Sequence, residues 1–178
     1  MIGKRFSFQM FHHLDTPALI EMFCNPVSDV HEELLRAVIE NDGDTVSDFL
    51  ERPHCDLNPP TSHGWSPFHI SIMLKRIDIC KKFVRSNELH GHVFELRGLF
   101  GETPLHVAAA MGIDLNIFFQ NSFEFQGNRP DSNAKDSRQY TPIDYAIYHG
   151  NAKGVRCLLD NGSNLNFCRR DFHELTEF

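Results

Sequence analysis

The chain has 178 residues, of which 41% are hydrophobic and 23% charged, and carries a formal net charge of -7; this balance suits one packed domain and excludes a disordered or low-complexity chain. No stretch approaches the ~18 apolar residues that a membrane helix needs, and a net negative chain lacks the clustered basic surface that phosphate-backbone binding requires. The five cysteines, Cys24, Cys55, Cys80, Cys157 and Cys168, are odd in number and form no Cys-x-x-Cys, which argues against a disulfide framework or zinc finger and suits a reducing compartment.

In chain order, residues 1–30 read as an N-terminal cap. Met1 to Phe6 leads into no apolar run with a small-residue cleavage site, so no signal peptide is expected, and glycine at position 3 argues against myristoylation. Asp15-Thr16-Pro17 reads as a helix cap and first turn, with Ala18 to Phe23 as a short helix that covers the next element. Residues 31–166 then divide into about four helix-turn-helix copies, at 32–65, 66–102, 103–140 and 141–166. In the first, Leu34, Ala37, Val38, Val46, Phe49 and Leu50 give the apolar positions. The second opens on Ser66-Pro67-Phe68-His69 and continues through Ile79, Cys80, Phe83 and Val84. The third opens on Thr103-Pro104-Leu105-His106-Val107-Ala108-Ala109, and the fourth on Thr141-Pro142-Ile143-Asp144-Tyr145-Ala146. Residues 167–178 form a C-terminal cap or a frayed end.

The repeated start has a local physical reason. A Ser or Thr hydroxyl caps the helix, and proline at the first helical position loses nothing because that N–H has no intrahelical acceptor. The small pair Ala108-Ala109 lets two short antiparallel helices approach, and a single copy cannot bury its apolar face, so the stack is the stable unit. The starts at 32, 66, 103 and 141 lie slightly more than the ~33 residues of an ankyrin period apart. Thr103 to Ala109, followed by Gly112, is similar to the ankyrin signature, and Thr141 to Asn166 reproduces nearly a whole repeat of it. The resemblance implies an all-α ankyrin-repeat solenoid with an N-terminal helical cap. It also implies a protein-binding function, without catalysis or cofactor, in which His69 and His106 hydrogen-bond the adjacent loops.

No Gly-x-Ser-x-Gly elbow, phosphate-cradling loop or catalytic carboxylate pair is found. His12-His13, His54-Cys55 and His90-x-His92 lack a four-ligand zinc pattern, and Cys80 and Cys157 read as small apolar core residues. Charge is unevenly spread. Between Asp29 and Asp56 nine acidic residues face only Arg36 and Arg52, whereas Lys75 to Arg85 holds five basic residues and one acid. A solvated face explains either run; an acidic end also suits a basic segment on a partner.

The candidate contact surface of such a stack comprises the turn before each repeat and the exposed side of the first helices. This selects Glu32, Glu33, Asp42, Asp44, Trp65, Met73, Glu102, Met111, Tyr140 and Tyr148, with Ser66, Pro67, His69, Thr103, Pro104, His106, Thr141 and Pro142 as the structural signature. Trp65 and Tyr140 each stand one residue before a cap, as binding aromatics or as packing on the neighbouring loop. Val93 to Phe100 is too apolar for a plain linker, and Phe118, Phe119, Phe123 and Phe125 read as a staple for the segment that follows them.

The repeat core resembles the ankyrin domain of the IκB inhibitors of NF-κB/Rel transcription factors. In overall design it is most similar to the short viral IκB-like ankyrin proteins of polydnaviruses. The Asp-Ser-Gly-x-x-Ser degradation signal and acidic tail of cellular IκB proteins are missing here. The resemblance therefore implies an inhibitor that sequesters host Rel/NF-κB dimers, escapes signal-induced proteolysis and suppresses immune signalling. It would act in the host cytoplasm, with the nucleus also open to it. An adaptor for another host protein, such as a ubiquitin-ligase substrate, is the alternative.

Overall fold

A computed structural model describes residues 15–23, 29–52, 57, 64–90, 92–120 and 129–165, with the side chains of 21–23, 29–31 and 87–90 excepted. Its helices are α1 (Thr16–Phe23), α2 (Asp29–Glu40), α3 (Gly43–Leu50), α4 (Pro67–Met73), α5 (Ile77–His90), α6 (Pro104–Met111), α7 (Asn116–Phe119), α8 (Pro142–Tyr148) and α9 (Ala152–Asp160), with a 3-10 turn at Val93–Glu95. His12, His13, His54, Cys55, Phe123, Phe125 and the tail from 167 lie outside the described residues.

The helices pair as α2/α3, α4/α5 and α8/α9, while the short α7 that follows α6 packs on α5. The first helices form one row, α2 on α4, α4 on α6 and α6 on α8; behind it α3 packs on α5. The short α1 lies against α2 and buries Leu19, giving the stack the N-terminal helix expected of residues 18–23. Ser66, Thr103 and Thr141 stand in extended conformation at the N-caps of α4, α6 and α8, each followed by proline in the first turn.

Each copy turns after its first helix through a left-handed residue: Asn41 (φ 63°), Lys75 (φ 53°), Gly112 (φ 68°) and Gly150 (φ 68°). All four stand nine places after the starts at 32, 66, 103 and 141, so one backbone turn recurs although only two copies use glycine, the residue that adopts it without strain.

The layer between helices is apolar and largely aromatic. Phe68 of α4 stacks on Phe83 of α5 at 5.1 Å and on Phe118 of α7 at 5.9 Å, while Phe94 of the 3-10 turn tilts against Phe118 at 6.2 Å. Val93, Phe94 and Leu96 are buried, so the segment after α5 belongs to the core. Here the repeat departs from a regular pair, because α7 has only four residues and Phe118 and Phe119 do the work of a longer helix by filling the gap themselves.

A second kind of tie links neighbouring repeats through the turn inside each pair. Arg76 Nη2 donates to the Ile39 carbonyl at 2.8 Å, and Asn151 Nδ2 donates to the Ala109 carbonyl at 3.0 Å. Asn151 also caps α9, its Oδ1 accepting from Gly154 N at 2.8 Å. One side chain thus serves a helix end and a repeat interface. Asn151→Ala is expected to cost about 2 kcal/mol, the sum of a lost cap and a lost interface hydrogen bond; a urea midpoint unchanged from wild type would show that Asn151 serves neither.

Candidate protein interface

The approach to each first helix is built alike. Gly64 (φ 69°), Gly101 (φ 82°) and Gln139 (φ 68°) turn the chain in the left-handed region, and two residues later Ser66, Thr103 and Thr141 cap the helix. In the two turns described throughout, Gly98 N donates to the Glu102 carbonyl at 2.7 Å and Gly101 N to the Gly98 carbonyl at 3.0 Å; Asp136 N to Tyr140 O at 2.9 Å and Gln139 N to Asp136 O at 3.0 Å repeat the pattern.

Histidines join successive turns. His69 Nε2 lies 3.2 Å from the Glu102 carbonyl and its Nδ1 lies 2.7 Å from Ser66 Oγ. His106 Nε2 lies 3.1 Å from the Tyr140 carbonyl, its Nδ1 taking the Thr103 N–H at 3.1 Å with Thr103 Oγ1 at 2.8 Å. A carbonyl oxygen only accepts, so each Nε2 carries a proton. The His106 Nδ1, which takes the Thr103 N–H, is a bare acceptor, so that ring is neutral. Burial holds the pKa values at about 3 for His69 and about 4 for His106. In the last repeat Asp144 takes this position. Its Oδ2 accepts from Thr141 N at 2.8 Å and Thr141 Oγ1 at 2.7 Å, closing the same capping box with a carboxylate.

Five of the ten candidate contact residues turn out to be interior, which corrects the surface drawn from the sequence. Trp65, Glu102 and Tyr140, the residue before each cap, are 6%, 0% and 3% exposed. Trp65 meets the His69 ring edge-on at 5.5 Å and lies over Gly98 of the next turn. Packing on the neighbouring loop is thus its role here. Met73 and Met111, at the ends of α4 and α6, are buried in the row of first helices. Tyr148 is half-buried.

The acidic candidates do face water. Glu33, Asp42 and Asp44 are exposed together with Glu40, Asp48 and Glu51, and half-buried Glu32 pairs with Arg36 at 3.1 Å. Asp42 has a structural duty as well: its carboxylate caps α3, accepting from Asp44 N and Thr45 N at 3.1 Å and from Thr45 Oγ1 at 2.6 Å, and these bonds, the Thr45 hydroxyl foremost, hold its pKa below the usual value.

A feature that the sequence flagged only as unusually apolar stands at the turn before the third repeat. Leu99 and Phe100 are 48% and 43% exposed. Beneath them Glu102 is enclosed: its Oε2 accepts from Phe100 N at 2.9 Å, Oε1 has no hydrogen-bond partner, and burial raises its pKa. Arg97 Nη1 donates to the carbonyls of Gly101 at 2.9 Å and Lys135 at 3.1 Å, and the Arg138 guanidinium lies 5.3 Å from the centre of the Phe100 ring.

Among the described residues no group of three His, Cys, Asp or Glu side chains is placed to hold a metal ion. No described helix is long and apolar enough to cross a membrane. Burial raises the pKa of both described cysteines, to about 11 for Cys80, which keeps them as thiols.

Stacked helix pairs joined by uniform turns, with buried histidines between them, define a repeat scaffold for binding other proteins. Residues 87–168 match the family model described as "Ankyrin repeats (3 copies)", and the described residues form an all-α ankyrin-repeat solenoid. No curated protein shows significant similarity to it.

Proposed function

We propose that this ankyrin stack is an IκB-like inhibitor that sequesters Rel/NF-κB dimers in the host cytoplasm and suppresses immune signalling there, with the nucleus as a second place of action. The observation that carries the reading is the face of α2 and α3, where Glu33, Glu40, Asp42, Asp44, Asp48 and Glu51 all stand in solvent. A Rel dimer presents a basic nuclear-localisation segment to its inhibitor, and opposed potentials of this kind steer and orient association. The resemblance of the repeat core to IκB domains supplies the identity of the partner.

The direct test is retention of purified Rel-family dimers on the immobilised protein, with competition by κB-site DNA. Saturable retention supports the inhibitor; none at micromolar concentration leaves an adaptor for another protein. The charge contribution is isolated by Glu33→Lys, Glu40→Lys and Asp48→Lys together, which leave the Asp42 cap and the Glu32–Arg36 pair intact. The triple variant is expected to bind at least about tenfold more weakly, from three contacts of up to ~1 kcal/mol each reversed in sign, with thermal unfolding unchanged. Equal affinity would remove the acidic face from the interface.

A further inference from the structure

The turn that carries Leu99 and Phe100 is rigid and yet exposes two adjacent large apolar side chains. Its backbone is fixed by Gly98 N to Glu102 O, Gly101 N to Gly98 O and Ser137 N to Phe100 O at 2.8 Å, and from beneath by the Glu102 carboxyl on Phe100 N. The exposure therefore belongs to a defined conformation and is not a frayed segment. Contiguous apolar surface held out in this way marks interaction sites, and aromatic anchors concentrate binding energy.

Two exposed cations, Arg97 and Lys135, stand at this tip. Arg138 lies half-buried against Phe100 with its Nε 3.9 Å from Asp136 Oδ2. Glu102 is fully enclosed, and Asp136 is 2% exposed, its oxygens also accepting from Arg138 N at 2.9 Å, Tyr140 N at 2.8 Å and the Tyr145 hydroxyl at 2.9 Å. On a chain of net charge -7, this is an apolar point flanked by exposed cations.

We infer that the Leu99–Phe100 tip is a docking site for an acidic protein segment carrying an apolar side chain, which seats on Leu99 and Phe100 while its carboxylates meet Arg97 and Lys135. This contact is distinct in place and opposite in charge from the acidic face of α2 and α3, so one protein can grip a partner of mixed charge at two points.

The test uses the full chain, labelled with 15N, and a fluorescent peptide of Asp and Glu residues flanking a central Leu-Leu. Saturable binding with amide shifts confined to residues 97–101 and 135–138 is expected. Weakening by about tenfold is expected for Leu99→Ser with Phe100→Ser, for Lys135→Glu, and for a peptide whose acids are replaced by Asn and Gln. All these protein positions are exposed, so circular dichroism and thermal unfolding should stay as in wild type. The Glu33, Glu40 and Asp48 reversals should leave this binding untouched, which separates its failure from that of the Rel reading. No saturable shift at millimolar peptide, shifts elsewhere, or equal binding of a Lys-rich peptide overturns the inference. So does self-association in sedimentation velocity that Leu99→Ser with Phe100→Ser abolishes, which would make a second copy the occupant.

Discussion

Gly98→Ala is expected to destabilise the protein by about 3 kcal/mol, a large effect for the addition of one methyl group. A Cβ at this position would stand 2.3 Å from Cζ3 and 2.7 Å from Cε3 of Trp65, and 3.0 Å from Oε2 of Glu102. The indole cannot yield, because it is held between this turn and the His69 ring, and the carboxyl cannot yield without releasing Phe100 N. Since Trp65 is the single tryptophan, its emission reports both the damage and the unfolding transition. A red-shifted native spectrum and a lowered urea midpoint are the expected result. In a Trp65→Leu background, followed by circular dichroism, Gly98→Ala should cost much less, because the clash has gone; additive losses would show that the strain lies elsewhere.

His106→Ala is expected to cost about 3–5 kcal/mol, the scale of a large-to-small core substitution made worse by stranded hydrogen-bonding groups. The Thr103 N–H and hydroxyl would lose their partner, and the Tyr140 carbonyl would keep only the Asp136 N–H of its two donors. The same buried rings make stability depend on pH. An unfolded histidine takes its proton near 6.5, whereas His69 and His106 stay neutral down to about 3 and about 4. Below pH 6.5 the unfolded chain therefore binds more protons, and stability is lost as pH falls through 6.5 toward those values. By pH 4 the two rings together remove on the order of 6 kcal/mol. Half-buried His149, also lowered by burial, acts in the same sense. Glu102 acts in the opposite sense, since its raised pKa means that the folded state takes up its proton first. Urea titrations from pH 7.5 to 4.5 should show a falling midpoint, and the ring signals of His69 and His106 should not titrate above pH 5. A flat profile over that range would contradict the buried neutral pair.

The stack was legible in the sequence because its punctuation is local. Ser66-Pro67, Thr103-Pro104 and Thr141-Pro142 specify a cap and a first turn by chemistry that needs no tertiary context. The left-handed turn was legible only at Gly112 and Gly150. Asn41 and Lys75 adopt the same backbone; asparagine tolerates it better than most residues, but nothing in the lysine side chain announces it. Half of the candidate surface residues lie outside the core, for a related reason. Charge finds water wherever it stands on a helix, so Glu33, Asp42 and Asp44 fell where they were expected. The burial of Trp65, Glu102 and Tyr140 depends on which way the residue before each cap faces and on what the next turn places above it, and that spacing crosses from one repeat to another. Glu102 was the least foreseeable, since a glutamate with no exposed surface is rare unless its oxygens are engaged.

Successive turns do not offer the same socket. Gly98 and Asp136 hold equivalent places, each closing its turn onto the residue before the cap. Only glycine leaves room for the indole of Trp65, while Asp136 instead gives its carboxylate to Arg138 N, Tyr140 N and the Tyr145 hydroxyl. Transposing the second and third repeats would set tryptophan against aspartate and tyrosine against glycine. Although the modules share one shape, their sequence order is keyed, and a shuffled chain with the same composition would meet mismatched joints at every seam.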